Sequence, residues 1–220
     1  MRAAAAILCG VLGVTAAAWA GEPGVSVPGL PGPFEWKNTP VSWKAGASGL
    51  TIVSGQKTDW YISPMDGKAS ASAPLLLFKP DEDFVLSAKV SVDFRSQWDA
   101  GFLMVYVDDK TWAKFALEMS AYQEPTVVTV VTRDVSDDCN STPITGHSVY
   151  LQIAKSGPAL IFYASPDGRS WKLVRAFTLG SAGSLRVGFA SQAPVGESGT
   201  AEFSEIQYRA GQVKDVFAGR

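Results

Sequence analysis

The sequence predicts an all-β fold, a sandwich of two antiparallel sheets. Three observations predict it. About a dozen short apolar runs recur at 8–12-residue spacing. The segments between them carry turn chemistry, as in Asp108-Asp109-Lys110-Thr111, Lys155-Ser156-Gly157-Pro158 and Ser165-Pro166-Asp167-Gly168-Arg169-Ser170. No 3.6-residue apolar period is sustained over a dozen positions.

The N-terminus reads differently from the rest. Arg2 is followed by an unbroken apolar and small stretch over 3–18 and then by Ala18-Trp19-Ala20. A positive start, a short apolar core and an A-x-A site predict a secretory signal over 1–20, cleaved before Gly21, and hence an exported protein, periplasmic or secreted. Cys9 follows Leu8 where lipidation needs a small residue, so a lipid anchor is not expected. Residues 21–33 contain Pro23, Pro28, Pro31 and Pro33 and read as an extended, poorly ordered lead-in. The sandwich is expected over 34–209, with a weakly patterned tail over 210–220 that frays.

Composition narrows the function. The chain of 220 residues has 19 basic and 21 acidic side chains and a net charge of −2. Loss of Arg2 takes the mature chain, about 200 residues, to near −3, with a length suited to one core. No basic patch stands out, so nucleic acid is not an expected partner. No second apolar span follows, so no membrane association is expected after signal cleavage. Cys139 is then the one remaining cysteine and no intrachain disulfide is possible. It lies eight residues from His147, the single histidine, without a helix N-terminus to depress its pKa, and is expected to be inert. The oligomeric state is left open.

In order, strands are expected near 42–43, 50–53, 75–78, 84–93, 100–107, 112–119, 126–132, 148–154, 159–164, 171–177, 184–190 and 200–208. The hairpin over 100–119 is the most informative. A turn at 108–111 sets Val107 opposite Trp112, Val105 opposite Lys114, Leu103 opposite Ala116 and Gly101 opposite Glu118. Period two puts Trp112, Lys114, Ala116 and Glu118 on one surface. Ala113, Phe115, Leu117 and Met119 face the other way, beside Phe102, Met104 and Tyr106, as the inter-sheet core. The first set has the composition of an exposed but recessed sheet face. A one-residue slip would exchange the faces.

Four motifs resemble a known family. They are Thr58-Asp59-Trp60; Asp99-Ala100-Gly101-Phe102-Leu103-Met104 with Trp112-Ala113-Lys114 and Glu118; Val130-Val131-Thr132 with Ser136-Asp137; and Phe162-Tyr163-Ala164-Ser165-Pro166-Asp167-Gly168-Arg169-Ser170-Trp171. The chain resembles the YesU-like, regulation-of-enolase-like domain family over about 34–208. The resemblance implies a concanavalin A-like lectin/glucanase jelly roll and a sugar-associated setting. Asp138-Cys139 replaces the tryptophan that the family usually has after Ser-Asp, which removes one stacking aromatic.

The expected function is an exported, non-catalytic module binding carbohydrate on one concave sheet face. The expected ligand-binding residues are Gln97, Trp98, Asp99, Trp112, Lys114 and Glu118, with Asp59 and Trp60. Trp112 would stack on sugar C–H surfaces, and Lys114, Glu118, Gln97 and Asp99 would bond hydroxyls. No cofactor, metal site or catalytic residue is assigned. One alternative is a glycan-active enzyme with Glu118 and Asp99 as acid/base pair. The Glu-x-Asp-x-x-Glu strand of sandwich hydrolases is absent, Ala116 standing where a carboxylate would be. A second alternative is a protein-interaction domain using a sheet face. Asp134, Asp137, Asp138 and Asn140 offer oxygen ligands, but their spacing is not that of a calcium loop and they read as a solvated acidic loop.

Overall fold

The computed structural model describes residues 24–180 and 184–220; the expected signal peptide lies outside them. The strands are β1 (Phe34–Lys37), β2 (Ser42–Gly46), β3 (Gly49–Gly55), β4 (Trp60–Ile62), β5 (Ala69–Ala71), β6 (Leu75–Phe78), β7 (Phe84–Asp93) and β8 (Ala100–Asp108). They continue with β9 (Thr111–Met119), β10 (Pro125–Arg133), β11 (Val135–Pro143), β12 (Ser148–Ser156), β13 (Ala159–Ser165), β14 (Lys172–Phe177), β15 (Arg186–Gln192) and β16 (Ser198–Ala210). Two seven-stranded antiparallel sheets form the sandwich, as expected. Sheet one runs β1-β6-β15-β8-β9-β10-β11 and sheet two β14-β13-β12-β7-β16-β3-β2.

Alternation explains the core. Leu50 and Ile52 of β3, Leu86, Ala88 and Val90 of β7, and Phe115 and Leu117 of β9 point between the sheets and are buried there. Phe115 stacks on Phe162 of β13 at 4.6 Å, and Phe189 meets Phe203 edge-on at 5.1 Å, so aromatic pairs join the two sheets. Val27, in the segment expected to be loose, is buried in this core.

The faces of β9 are as the sequence predicts, and those of β8 are reversed. Ala100 lies opposite Glu118, Phe102 opposite Ala116, Met104 opposite Lys114 and Tyr106 opposite Trp112, one residue away from the expected register. The cause is local. Asp108 pairs with Thr111, so that Asp109 and Lys110 alone make the turn, and the ladder slips between Tyr106 and Asp108. A bulge of one residue reverses every side chain beyond it. Leu103 and Val105 therefore enter the core, while Phe102, Met104 and Tyr106 share the opposite face with Trp112.

That opposite face is covered rather than open. β4 and β5 form a small hairpin over it, with Trp60 and Ile62 turned down and Tyr61 turned away, as the alternation of Trp60-Tyr61-Ile62 dictates. Trp60 meets both Trp112 and Tyr106 edge-on at 5.8 Å. A second apolar layer results, comprising Phe102, Met104, Tyr106, Trp112, Val128 and Val130 beneath Trp60. On the far side of the molecule, segment 211–220 lies against sheet two. Val213 is buried there, and Val216 and Gly219 accept hydrogen bonds from Tyr163 and Gln152.

Candidate functional site

The β4–β5 hairpin leaves one end of the outer face of sheet one uncovered. A cavity of about 370 Å³ opens there, lined by Asp59, Tyr61, Trp98, Lys114, Glu118, Ala121, Asp138, Asn140 and Gln192. The strand register assembles it. Gln192 of β15, Ala100 of β8 and Glu118 of β9 form one cross-strand row, and Lys114, Val130 of β10 and Asp138 of β11 form another. Alanine at 100 and 116 leaves the floor low, so longer side chains converge above it. Lys114 and Glu118 are four residues apart, about 13 Å along a strand. Their side chains nevertheless lean together over Ala116, bringing Lys114 Nζ within 3.8 Å of Glu118 Oε2.

Lys114 is the hub. Its ammonium donates to Gln192 Oε1 at 3.2 Å, lies 5.4 Å from the centre of the Phe102 ring and is 3.8 Å from Asp59 Oδ1. The Gln192 amide then donates to the Trp98 carbonyl at 3.0 Å and reaches Glu118 Oε2 at 3.5 Å. Lys114 is 3 % exposed and Glu118 7 %. Burial pushes the Glu118 carboxyl up to about 7; Lys114 opposes the shift, while Asp138 and Asp59 add to it. Asp138 is exposed along one side, yet desolvation of its carboxyl raises its pKa, again against Lys114. Burial and the same two aspartates raise the Tyr61 phenol.

The expected site residues divide. Lys114, Glu118, Asp59 and Trp98 meet at the cavity. Trp112 and Trp60 do not: both are wholly buried in the second apolar layer, with the Trp60 indole N–H donated to the Ala73 carbonyl. The hairpin that covers them is why Trp112 cannot serve as a stacking floor. Asp99 is also buried; its Oδ2 accepts the backbone N–H groups of Arg95 and Ser96 at 2.9 and 2.8 Å. It braces the turn instead of facing the cavity; the carboxyl groups that line the cavity beside Glu118 are those of Asp59 and Asp138. Gln97 donates to the Ala121 carbonyl and ties that turn to the next. Gly101, expected to face Glu118, points into the core, where a Cβ would stand 2.6 Å from that of Ala201.

Between these braces Trp98 adopts φ 65°, rare for a bulky residue. Its N–H donates to the Met119 carbonyl at 2.7 Å, and the residue, 38 % exposed, lines the cavity as one of its two aromatic side chains, with Tyr61. Asp138 and Asn140 were expected in an acidic loop. They belong to β11, an edge strand, and their i, i+2 spacing turns both toward the cavity. Tyr61 and Gln192 carry no signal in their own segments; a long-range hairpin and the last two residues of β15 bring them in.

A family model described as "Protein of unknown function (DUF1349)" matches residues 36–211. Regulation of enolase protein 1 of Saccharomyces cerevisiae is 27 % identical over 143 residues, 64 % of this chain and 71 % of that protein. The crystal structure of a functionally unknown protein from Saccharomyces cerevisiae superposes with a TM-score of 0.76 at 24 % identity, over 82 % of this chain and 97 % of that one. The GH43 protein BlXynB of Bacillus licheniformis gives a TM-score of 0.62 at 15 % identity, over 81 % of this chain but 37 % of its own. The resemblance read from the four motifs is borne out, and the sandwich fold is shared with a part of a glycoside hydrolase family 43 protein.

Proposed function

This chain belongs to the family described as "Protein of unknown function (DUF1349)", and on that premise we propose that it binds carbohydrate in the Lys114–Glu118 cavity. The reading includes export of the chain and binding without cleavage. The observation that carries it is the lining: an exposed tryptophan face beside a lysine, three carboxyl groups and two amides, over a floor kept low by alanine. Aromatic faces take sugar C–H surfaces, and convergent donors and acceptors fix hydroxyls. The sandwich of BlXynB lends support as a precedent of fold alone. A glycan array probed with the full chain tests it. The expected result is retention of a defined glycan class, lost on Trp98→Ala and Glu118→Ala while Trp60→Phe keeps it. No retained glycan, or retention indifferent to both cavity substitutions, overturns the reading.

One observation favours a second reading, a glycan-cleaving enzyme. Glu118, held near pKa 7, has the character of a general acid. Asp59 Oδ1 and Glu118 Oε2 are each 3.8 Å from Lys114 Nζ, hence at most about 7.6 Å apart. That limit admits the separation of a retaining pair, about 5–5.5 Å, and the lower part of the inverting range, which begins near about 6.5 Å. Reducing ends released from an array-selected glycan, abolished by Glu118→Gln, would establish this reading in place of simple binding.

A further inference from the structure

Resting on the carbohydrate reading of the cavity, we propose that it selects glycans bearing a free primary ammonium group, the de-N-acetylated amino sugars, over neutral and acidic ones. The charge inventory carries the argument. Glu118 and Lys114 come from β9, Asp138 from β11 and Asp59 from the segment before β4; the other lining groups are Tyr61, Trp98, Ala121, Asn140 and Gln192. Three carboxyl groups thus surround one ammonium, Glu118 largely protonated below pH 7 and Asp59 and Asp138 nearer the mouth.

Position matters as much as count. The Lys114 side chain is 4 % exposed and its Nζ already serves Gln192, the Phe102 ring and two carboxylates. It is the floor of the site. The Asp59 side chain is 26 % exposed and Asp138 is exposed, so an entering ligand meets carboxylates before it meets the lysine. Two arginines beside these elements are engaged elsewhere: Arg95 pairs with Asp93 at 2.6 Å and Arg175 with Asp137 at 2.9 Å, Asp137 pointing to the opposite face of β11 from Asp138. A uronate would enter a mouth of its own charge sign. An N-acetyl sugar would find hydrogen bonds and no counter-ion. An ammonium would neutralise the surplus, and in a recess shielded from water that attraction is stronger than on an open surface.

The test is calorimetric titration of the full chain near pH 6.5 with glucosamine, N-acetylglucosamine and galacturonate hexamers. The glucosamine hexamer is expected to bind about tenfold tighter than its N-acetylated counterpart, and galacturonate weakest. High salt and Asp138→Asn, an exposed substitution that leaves the core untouched, are expected to narrow the ratio, whereas Glu118→Gln, which resembles the protonated acid present below pH 7, is expected to change it less. A ratio near one, a preference for galacturonate, or a ratio unmoved by Asp138→Asn overturns the proposal while leaving carbohydrate binding intact. Failure of every glycan on the array overturns both.

Discussion

Replacing Glu118 by glutamine is expected to change the pH dependence of stability in a direction that the structure fixes. The folded-state pKa is raised from 4.5 to about 7 by burial. Between those values the folded chain holds a proton that the unfolded chain has lost. Stability therefore falls as pH rises through this window, and is lowest, for this group, above 7. A shift of roughly 2.5 units at about 1.4 kcal/mol per unit corresponds to about 3 kcal/mol, which glutamine removes because it never ionises. The attraction of Lys114 for the ionised carboxylate is already contained in that folded-state pKa, and any pH-independent loss of packing enters as an offset. The diagnostic is the difference between the two urea-unfolding free energies, measured at steps from pH 4.5 to 8. It is expected to move by about 3 kcal/mol in favour of Glu118→Gln as pH rises. A difference flat with pH, or a Glu118 carboxyl titrating near 4.5 by carbon-13 NMR, would refute the assignment of a desolvated acid.

Three further substitutions separate packing from binding. Gly101→Val drives a side chain between the sheets, where even a Cβ meets Ala201 at 2.6 Å and Val90 and Val92 at 3.1 Å. A loss of about 1–3 kcal/mol in chemical denaturation is expected, and a neutral result would contradict the register of β8. Trp112→Ala removes a wholly buried ring packed against Trp60 and is expected to cost about 3–5 kcal/mol. Trp98→Ala, at an exposed ring, is expected to leave the melting temperature nearly unchanged while weakening glycan binding. Thermal unfolding of the two variants side by side makes that distinction.

The contrast between β8 and β9 shows what a sequence can carry. In β9, Lys114 and Glu118 alternate with Ala113, Phe115 and Leu117, so one face is marked by charge and the period identifies the core side. In β8, Ala100 to Tyr106 is apolar and buried on both faces, because a second apolar layer lies outside the sheet. No alternation remains to be read there, and the register falls to the turn, where a bulge before Asp108 changes it. β11 shows the reverse: polar nearly throughout as an edge strand, it lacks the apolar pattern that announces a strand. Trp112 looked exposable because its cover, the β4–β5 hairpin, lies some fifty residues earlier in the chain. The site shares this limit. Lys114 and Glu118 were legible from one strand; Asp138, Tyr61 and Gln192 depend on pairings that no local pattern encodes.

Three features near the cavity run against what stability alone would favour. Lys114 and Glu118 are buried at 3.8 Å, beyond hydrogen-bond length, and a buried charge pair of that geometry recovers little of its desolvation cost. Trp98 holds a left-handed backbone at a bulky residue. Asp99, which braces its turn, keeps one buried carboxyl oxygen without a hydrogen-bond partner among the described residues. An apolar pair at 114 and 118 and a glycine at 98 would serve the sandwich better, since the layer beneath is already Phe102, Met104 and Val130. A buried charge pair and a left-handed tryptophan in one recess have a direct explanation if the recess exists to present an aromatic face and a set of charges to a ligand. The same reasoning assigns no binding role to Trp60 and Trp112, whose rings pack edge-on in the covered layer; Trp60 donates its indole N–H to the Ala73 carbonyl, and the Trp112 indole N–H finds no partner among the described residues.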